Sequence, residues 1–229
     1  MIWKHFYLSI IIACFIVGLA NCSQGNDRNG VHNVPVPAGR FTSPSWSSDG
    51  QFVVLQFHPK SGSIRNEDIV VMRPDGSDLR ILSTAVKGNP YITSPQMWCN
   101  DKIGFRSSDL LPNPSVDTLK SIGFDGSGEQ IMLDGIGEVT SVAWDSRNCR
   151  VAFETKDTGG LSHLVVFDPS SKSKQEILVL PKDMWFEDIE WSRSGERIAY
   201  TIVRKFRDRN SISYLEVLDI NTNARQIFD

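Results

Sequence analysis

A chain of 229 residues, 40% hydrophobic and 22% charged, has the composition of a globular protein long enough for one sizeable domain or two small ones. Such a chain need not borrow stability from a metal. Its formal charge of -3 excludes a surface built for nucleic acid, which requires a basic face.

The first residues differ from the rest. Phe6 to Ala20 form an apolar run of 15, interrupted only by Ser9 and Gly18 and preceded by Lys4. That run is too short to span a bilayer comfortably and has the layout of a secretory signal peptide over residues 1–21. It ends in Leu19-Ala20-Asn21-Cys22, which resembles the lipobox of bacterial lipoproteins. The resemblance implies diacylglycerol on Cys22, although Asn21 departs from the usual small residue before the cysteine. Ser23, where a retained inner-membrane lipoprotein would carry Asp, implies the periplasmic face of the outer membrane or the cell surface. The alternative is an ordinary signal peptide that leaves Cys22 a free thiol. Residues 22–40, rich in Gly and Asn and carrying Pro35 and Pro37, read as a flexible tether.

From Phe41 onward the chain repeats. Trp46, Trp98, Trp144 and Trp191 are 52, 46 and 47 residues apart, each in the same context. A strand-like piece precedes each one (FTSPS, ITSPQM, VTSVA, FEDIE), and a polar turn follows (SSDG, CND, DSRN, SRSG). An apolar strand comes next (FVVLQF, KIGF, RVAF, RIAY). After a variable loop, a third strand (DIVVM, LKSIGF, HLVVF, YLEVL) enters a tight turn and then a fourth (LRILS, EQIML, QEILVL, RQIF). Four hairpin-linked strands make one antiparallel sheet, and Asp-Gly at 75–76 and 125–126 suits turns that need positive φ. Sheets of this size stack radially, so residues 41–229 are expected to form an all-β propeller of four four-stranded blades, about 41–83, 91–134, 138–180 and 185–229.

SPSWSSDGQFVVLQF followed by DIVVMRPDGSDLRIL is similar to the repeat of the TolB family of propellers, and WSRSGERIAY repeats its first half. The second and third units lack the Asp-Gly after the tryptophan. The resemblance spans the whole repeat region and implies a fold, together with a place in envelope maintenance. Four blades is the smallest ring, so the expectation is a closed or nearly closed monomer, with a homodimer as the alternative.

The four tryptophans, with Phe41, Val139 and Phe186, are expected to pack between blades rather than form an aromatic cage. Cys99 and Cys149 lie in equivalent turns of neighbouring blades. In an exported protein they form either a disulfide or two separate thiols. Catalysis finds little support. His32, His58 and His163 occupy non-equivalent positions, so the metal-binding histidine set that some TolB-like propellers share with polysaccharide lyases cannot be assembled, and no metal or cofactor is expected. Gly160-Leu161-Ser162-His163 is not a nucleophile elbow. Glu187, Asp188 and Glu190 alternate on a strand and read as solvated or rim positions.

Recognition is expected at the rim that carries the long second-to-third and inter-blade loops. Tyr91, Trp185, Lys60, Lys182, Arg204, Lys205, Arg207 and Arg209 lie there, and aromatics beside cations suit a protein partner. The chain therefore reads as a non-catalytic interaction scaffold of the envelope, lipid-anchored through Cys22. The alternative is a carbohydrate- or peptidoglycan-directed propeller using its central channel.

Overall fold

A computed structural model describes residues 38–60, 67–84, 90–109, 116–206 and 210–228. The signal peptide, Cys22 and nearly all of the tether lie outside the described residues, as do Arg207 and Arg209.

Sixteen strands form four antiparallel sheets, each built from consecutive strands in the order of the chain. Blade 1 comprises β1 (Gly39–Trp46), β2 (Val53–Pro59), β3 (Asp68–Met72) and β4 (Arg80–Thr84). Blade 2 comprises β5 (Pro90–Met97), β6 (Lys102–Asp109), β7 (Val116–Gly123) and β8 (Gln130–Leu133). Blade 3 comprises β9 (Val139–Asp145), β10 (Arg150–Lys156), β11 (Ser162–Asp168) and β12 (Ser173–Leu180). Blade 4 comprises β13 (Met184–Trp191), β14 (Arg197–Lys205), β15 (Ser211–Asp219) and β16 (Arg225–Phe228). The sheets are arranged as a four-bladed β-propeller, and the expected strand order holds in every blade.

The repeated turns are stabilised by aspartates rather than by reactive groups. At the third hairpin turn, Asp75, Asp125, Asp168 and Asp219 each accept from backbone amides two residues on, at 2.8 to 3.1 Å. Asp49 does the same for Gln51 and also accepts from the Ser47 hydroxyl at 2.6 Å, while Gly50 turns at φ 70°. These bonds favour the charged carboxylates and hold all five below their ordinary range, with Asp168 lowered to about 2.

The sequence pattern does not show the bulge in the first strand of each blade. Ladder register shifts between Thr42 and Ser45, Thr93 and Gln96, and Glu187 and Glu190, and opposite Thr140 and Ser141 in blade 3. Ser43, Ser94 and Asp188 take left-handed φ of 50° to 52° there. A bulge turns these residues out of the ladder, Ser94 and Asp188 toward the propeller axis.

Three apolar cores lie between neighbouring blades. Val54, Ile69 and Val71 of blade 1 meet Ile103, Phe105 and Ile122 of blade 2. Leu119 meets Val139, Val151 and Phe153 across the second junction. Leu164 and Val166 meet Ile198, Tyr200 and Ile202 across the third. Trp98 and Trp144 pack edge to face at 5.8 Å, and Trp191 donates its indole N–H to the Ala143 carbonyl at 3.2 Å. Gly104 is required in β6 because a methyl group there would overlap the Trp144 ring. Cys99 and Cys149 are disulfide-bonded across the second junction, with Cα atoms 5.4 Å apart.

One expected core residue is not in the core. Trp98, Trp144 and Trp191 are 9%, 4% and 7% exposed, but Trp46 is 59% exposed, and Phe41 is only half-buried. Trp46 faces away from blade 2, on the side where a preceding blade would cover it. The three apolar clusters of the described residues lie between blades 1 and 2, 2 and 3, and 3 and 4.

Candidate functional site: the axial channel and its mouth

The bulges of β5, β9 and β13 line a cavity of about 820 Å³ on the propeller axis, with Ser94, Gln96, Thr140, Ser141, Glu187, Asp188 and Glu190 on its wall. Lys156, Trp185 and Lys205, at the ends of β10, β13 and β14, stand where it opens onto the long-loop rim. No described residue of blade 1 lines it. Trp185 is half-buried and donates its indole N–H to Glu187 Oε1 at 2.9 Å, which fixes the ring at the opening. Glu190 is reached by water but surrounded by protein, and desolvation raises its carboxyl above the ordinary value. The site therefore offers hydroxyls, an amide, three carboxylates, two ammonium groups and one oriented aromatic ring.

Other inward-facing polar groups tie neighbouring blades together. Ser45, Gln96 and Ser141 accept from the amides of Met97, Trp144 and Ile189 in the following blade, at 3.2 to 3.3 Å. Buried carboxylates make a second set of ties to the first core residue of the next blade. Asp117 accepts from the Val139 amide and Glu154 from the Phe186 amide. The Ser108 hydroxyl donates to Asp117, and those of Thr140 and Ser162 donate to Glu154. Burying a carboxylate is tolerable only with such donors around it.

In blade 1 this arrangement sets the Thr42 hydroxyl 2.9 Å from His58 Nε2, and His58 Nδ1 3.0 Å from Glu67 Oε1. A hydroxyl, an imidazole and a buried carboxylate in series have the connectivity of a nucleophilic triad. The matching places in blades 2 and 3 hold Thr93, Ser108 and Asp117, with the Ser108 hydroxyl on Asp117, and Thr140, Lys156 and Ser162. The series is thus blade 1's version of a repeated junction. Burial pushes the Glu67 carboxyl up to about 7, against the lowering effect of Gln56, Arg106, Arg40 and the Ile92 amide. Burial, and then Arg40, lowers His58. His163 is raised by Glu176, 2.8 Å away, and by Asp157, and it lies on the outer part of blade 3.

The rim residues divide. Trp185 and Lys205 meet at the channel mouth, joined by Lys156, which sequence reasoning missed although it ends a strand on that rim. Arg204 is committed to Asp183 at 3.0 Å and lies over the Phe206 ring. Lys182 is exposed, and Lys60 is exposed at the end of β2, on the blade that does not line the channel. Tyr91 lies in β5 opposite Ser108. Glu187, Asp188 and Glu190 are exposed, and the surface they present is the channel wall. The described residues hold no group of three or more His, Cys, Asp or Glu side chains placed to bind a metal ion.

No protein-family profile matches the chain, and no curated relative does. Solved structures show the likeness. The chain superposes on an oligogalacturonate lyase in complex with manganese with TM-score 0.63 and 12% identity, over 87% of this chain and 56% of that one. It superposes on TolB from Acinetobacter baumannii with TM-score 0.56 and 14% identity, over 82% of this chain and 43% of that one. The β-propeller domain of the trilobed protease from Pyrococcus furiosus, described as having an open velcro topology, gives TM-score 0.56 and 13% identity over 84% and 58%. At these identities the likeness is one of fold, a TolB-like propeller, and the chain spans about half the length of each of these proteins.

Proposed function

We propose that this protein is a non-catalytic protein-interaction scaffold of the bacterial envelope, exported and lipid-anchored through Cys22, which binds its partner at the channel mouth. One observation carries the reading: Trp185, Lys156 and Lys205 are gathered at a single opening on a rigid scaffold. An oriented aromatic ring between two cations is the composition of an interaction hot spot. The cations suit an acidic or polar protein segment, and Arg204 and Lys182 extend the same surface. The likeness to TolB supports a scaffold, whereas the likeness to a lyase supports a second reading.

That second reading is a propeller that binds or processes carbohydrate or peptidoglycan in the channel. The channel wall favours it, because Ser94, Gln96, Thr140 and Glu190 are hydrogen-bonding groups suited to sugar hydroxyls, and Trp185 offers a ring for stacking.

Retention of the mature protein on peptidoglycan and on acidic oligosaccharide columns separates the two, run beside in-cell crosslinking from position 185 with mass spectrometry. A scaffold gives a protein adduct and no glycan retention. Retention or turnover of glycan without a protein adduct would overturn it.

A further inference from the structure

On the short-turn rim, opposite the channel mouth, neighbouring blades are fastened in three different ways. Phe52 and Phe124 meet edge to face at 4.6 Å across the first junction, with Arg73 4.8 Å over Phe52 and Arg80 4.9 Å over Phe124. The Cys99–Cys149 disulfide crosses the second. At the third, Asn148 donates to the Ser194 carbonyl at 3.4 Å and Arg150 donates to that of Gly195, while the Arg150 guanidinium lies 4.7 Å over the Trp191 ring. This third fastening leaves a groove of about 950 Å³ between the first hairpin turns of blades 3 and 4. Arg147 and Arg193 line it, one from each turn, and both are exposed. Blades 1 and 2 carry Asp49 and Asp101 in the corresponding turns, so only this junction brings two turn arginines together.

The groove is rich in donors and short of free acceptors. Asp145, 1% exposed, accepts from the amides of Arg147 and Asn148, from the Asn148 side chain and twice from Arg150, at 2.8 to 3.1 Å. Asp168 accepts from the Ser170 amide and hydroxyl and from the Ser171 hydroxyl at 2.6 to 2.9 Å. Glu196 takes the Ser194 hydroxyl at 3.2 Å. Among the described residues, neither the Arg147 nor the Arg193 guanidinium reaches a carboxylate. The wall that carries them is fixed by the Asp145 bonds and by Gly195, where a methyl group would overlap the Asn148 amide. Two guanidinium forks without acceptors, on a fixed wall, suit an oxyanion. The lining sets three arginines against Asp168 and Glu196, which favours one small anionic group over an extended polyanion.

We propose that this groove is a phosphoryl-binding site, with the phosphoryl oxygens held between Arg147 and Arg193 and the rest of the ligand against Asn148 and Asn221. A phosphoryl group has enough acceptor oxygens and charge for both forks at once, whereas a single carboxylate fills one. The groove is larger than one phosphate and accommodates an organic remainder. The phosphoryl group belongs either to a free phosphorylated molecule or to a lipid headgroup, since the recognising chemistry is the same.

The test is calorimetric titration of the purified protein with glycerol 3-phosphate, with soluble dihexanoyl phosphatidylglycerol and with glycerol, while the arginine Nε–H signals are followed by NMR. The expected result is saturable one-to-one binding of a phosphorylated probe, no binding of glycerol, and shifts of the Arg147 and Arg193 signals. Binding of glycerol 3-phosphate assigns the free molecule as source, and binding of the lipid alone assigns the headgroup. Arg147→Gln and Arg193→Gln should each weaken binding about tenfold or more. Both residues are exposed, so both variants should keep the wild-type circular dichroism. Arg197→Gln, on the same rim but outside the groove, should leave the affinity unchanged. No saturable binding of either phosphorylated probe, binding that survives the double variant, or an equal loss in Arg197→Gln would each overturn the proposal.

Discussion

Leu164 and Leu215 occupy the same position in adjacent blades, and only Leu164 is covered by a following sheet. The same contrast between covered and exposed equivalents runs through the molecule and predicts which residues stabilise it.

Trp144 and Trp46 should therefore respond differently to truncation. Trp144 is buried against Gly104 and Trp98, so Trp144→Ala should cost about 3–5 kcal/mol of unfolding free energy. Trp46→Ala, at an exposed position, should cost less than about 1 kcal/mol. Equilibrium denaturation of the two variants checks the difference.

Glu67 gives a pH dependence whose sign is fixed. Its carboxyl moves from 4.5 to about 7 on folding, so the folded protein binds that proton more tightly. Its contribution is complete below about pH 4.5 and is lost as pH rises through about 7. His58, lowered by burial, acts in the opposite sense and costs stability as pH falls below 6.5. Glu67→Gln keeps the neutral amide at every pH. The variant should lack the decline of about 2 kcal/mol that the wild type shows from pH 5.5 to 8, as read from denaturation midpoints.

The Cys99–Cys149 bond closes a separation of 50 residues and staples blade 2 to blade 3. Reduction, or Cys99→Ser with Cys149→Ser, should lower stability by about 2–4 kcal/mol. Thermal melts with and without reductant should differ for the wild type and coincide for the double variant.

The tryptophan spacing and the aspartate turns made the blades legible, because both recur at fixed offsets along the chain. Neighbour relations were less legible. Nothing local marks Trp46 as different from Trp191, since the burial of either ring depends on what packs against its face of the blade. The junction carboxylates escaped for another reason. Glu67 and Asp117 stand two residues before Ile69 and Leu119 in their blades, but Glu154 comes from β10, so the third junction takes its carboxylate from a different strand. The channel mouth was half visible: strand connectivity put Trp185 and Lys205 on the long-loop rim, while the bulges that bring Glu187 and Glu190 to the axis left no pattern in the sequence.

The binding surface at the channel mouth is tested most directly by in-cell photo-crosslinking from two positions compared side by side. One probe replaces Trp185, and the other replaces Ser194 on the opposite rim. The account predicts a discrete protein adduct from position 185, none from position 194, and loss of the first adduct when Lys156 and Lys205 are both changed to Glu. Equal labelling from both rims, or an adduct at 185 that survives the charge reversal, would contradict it.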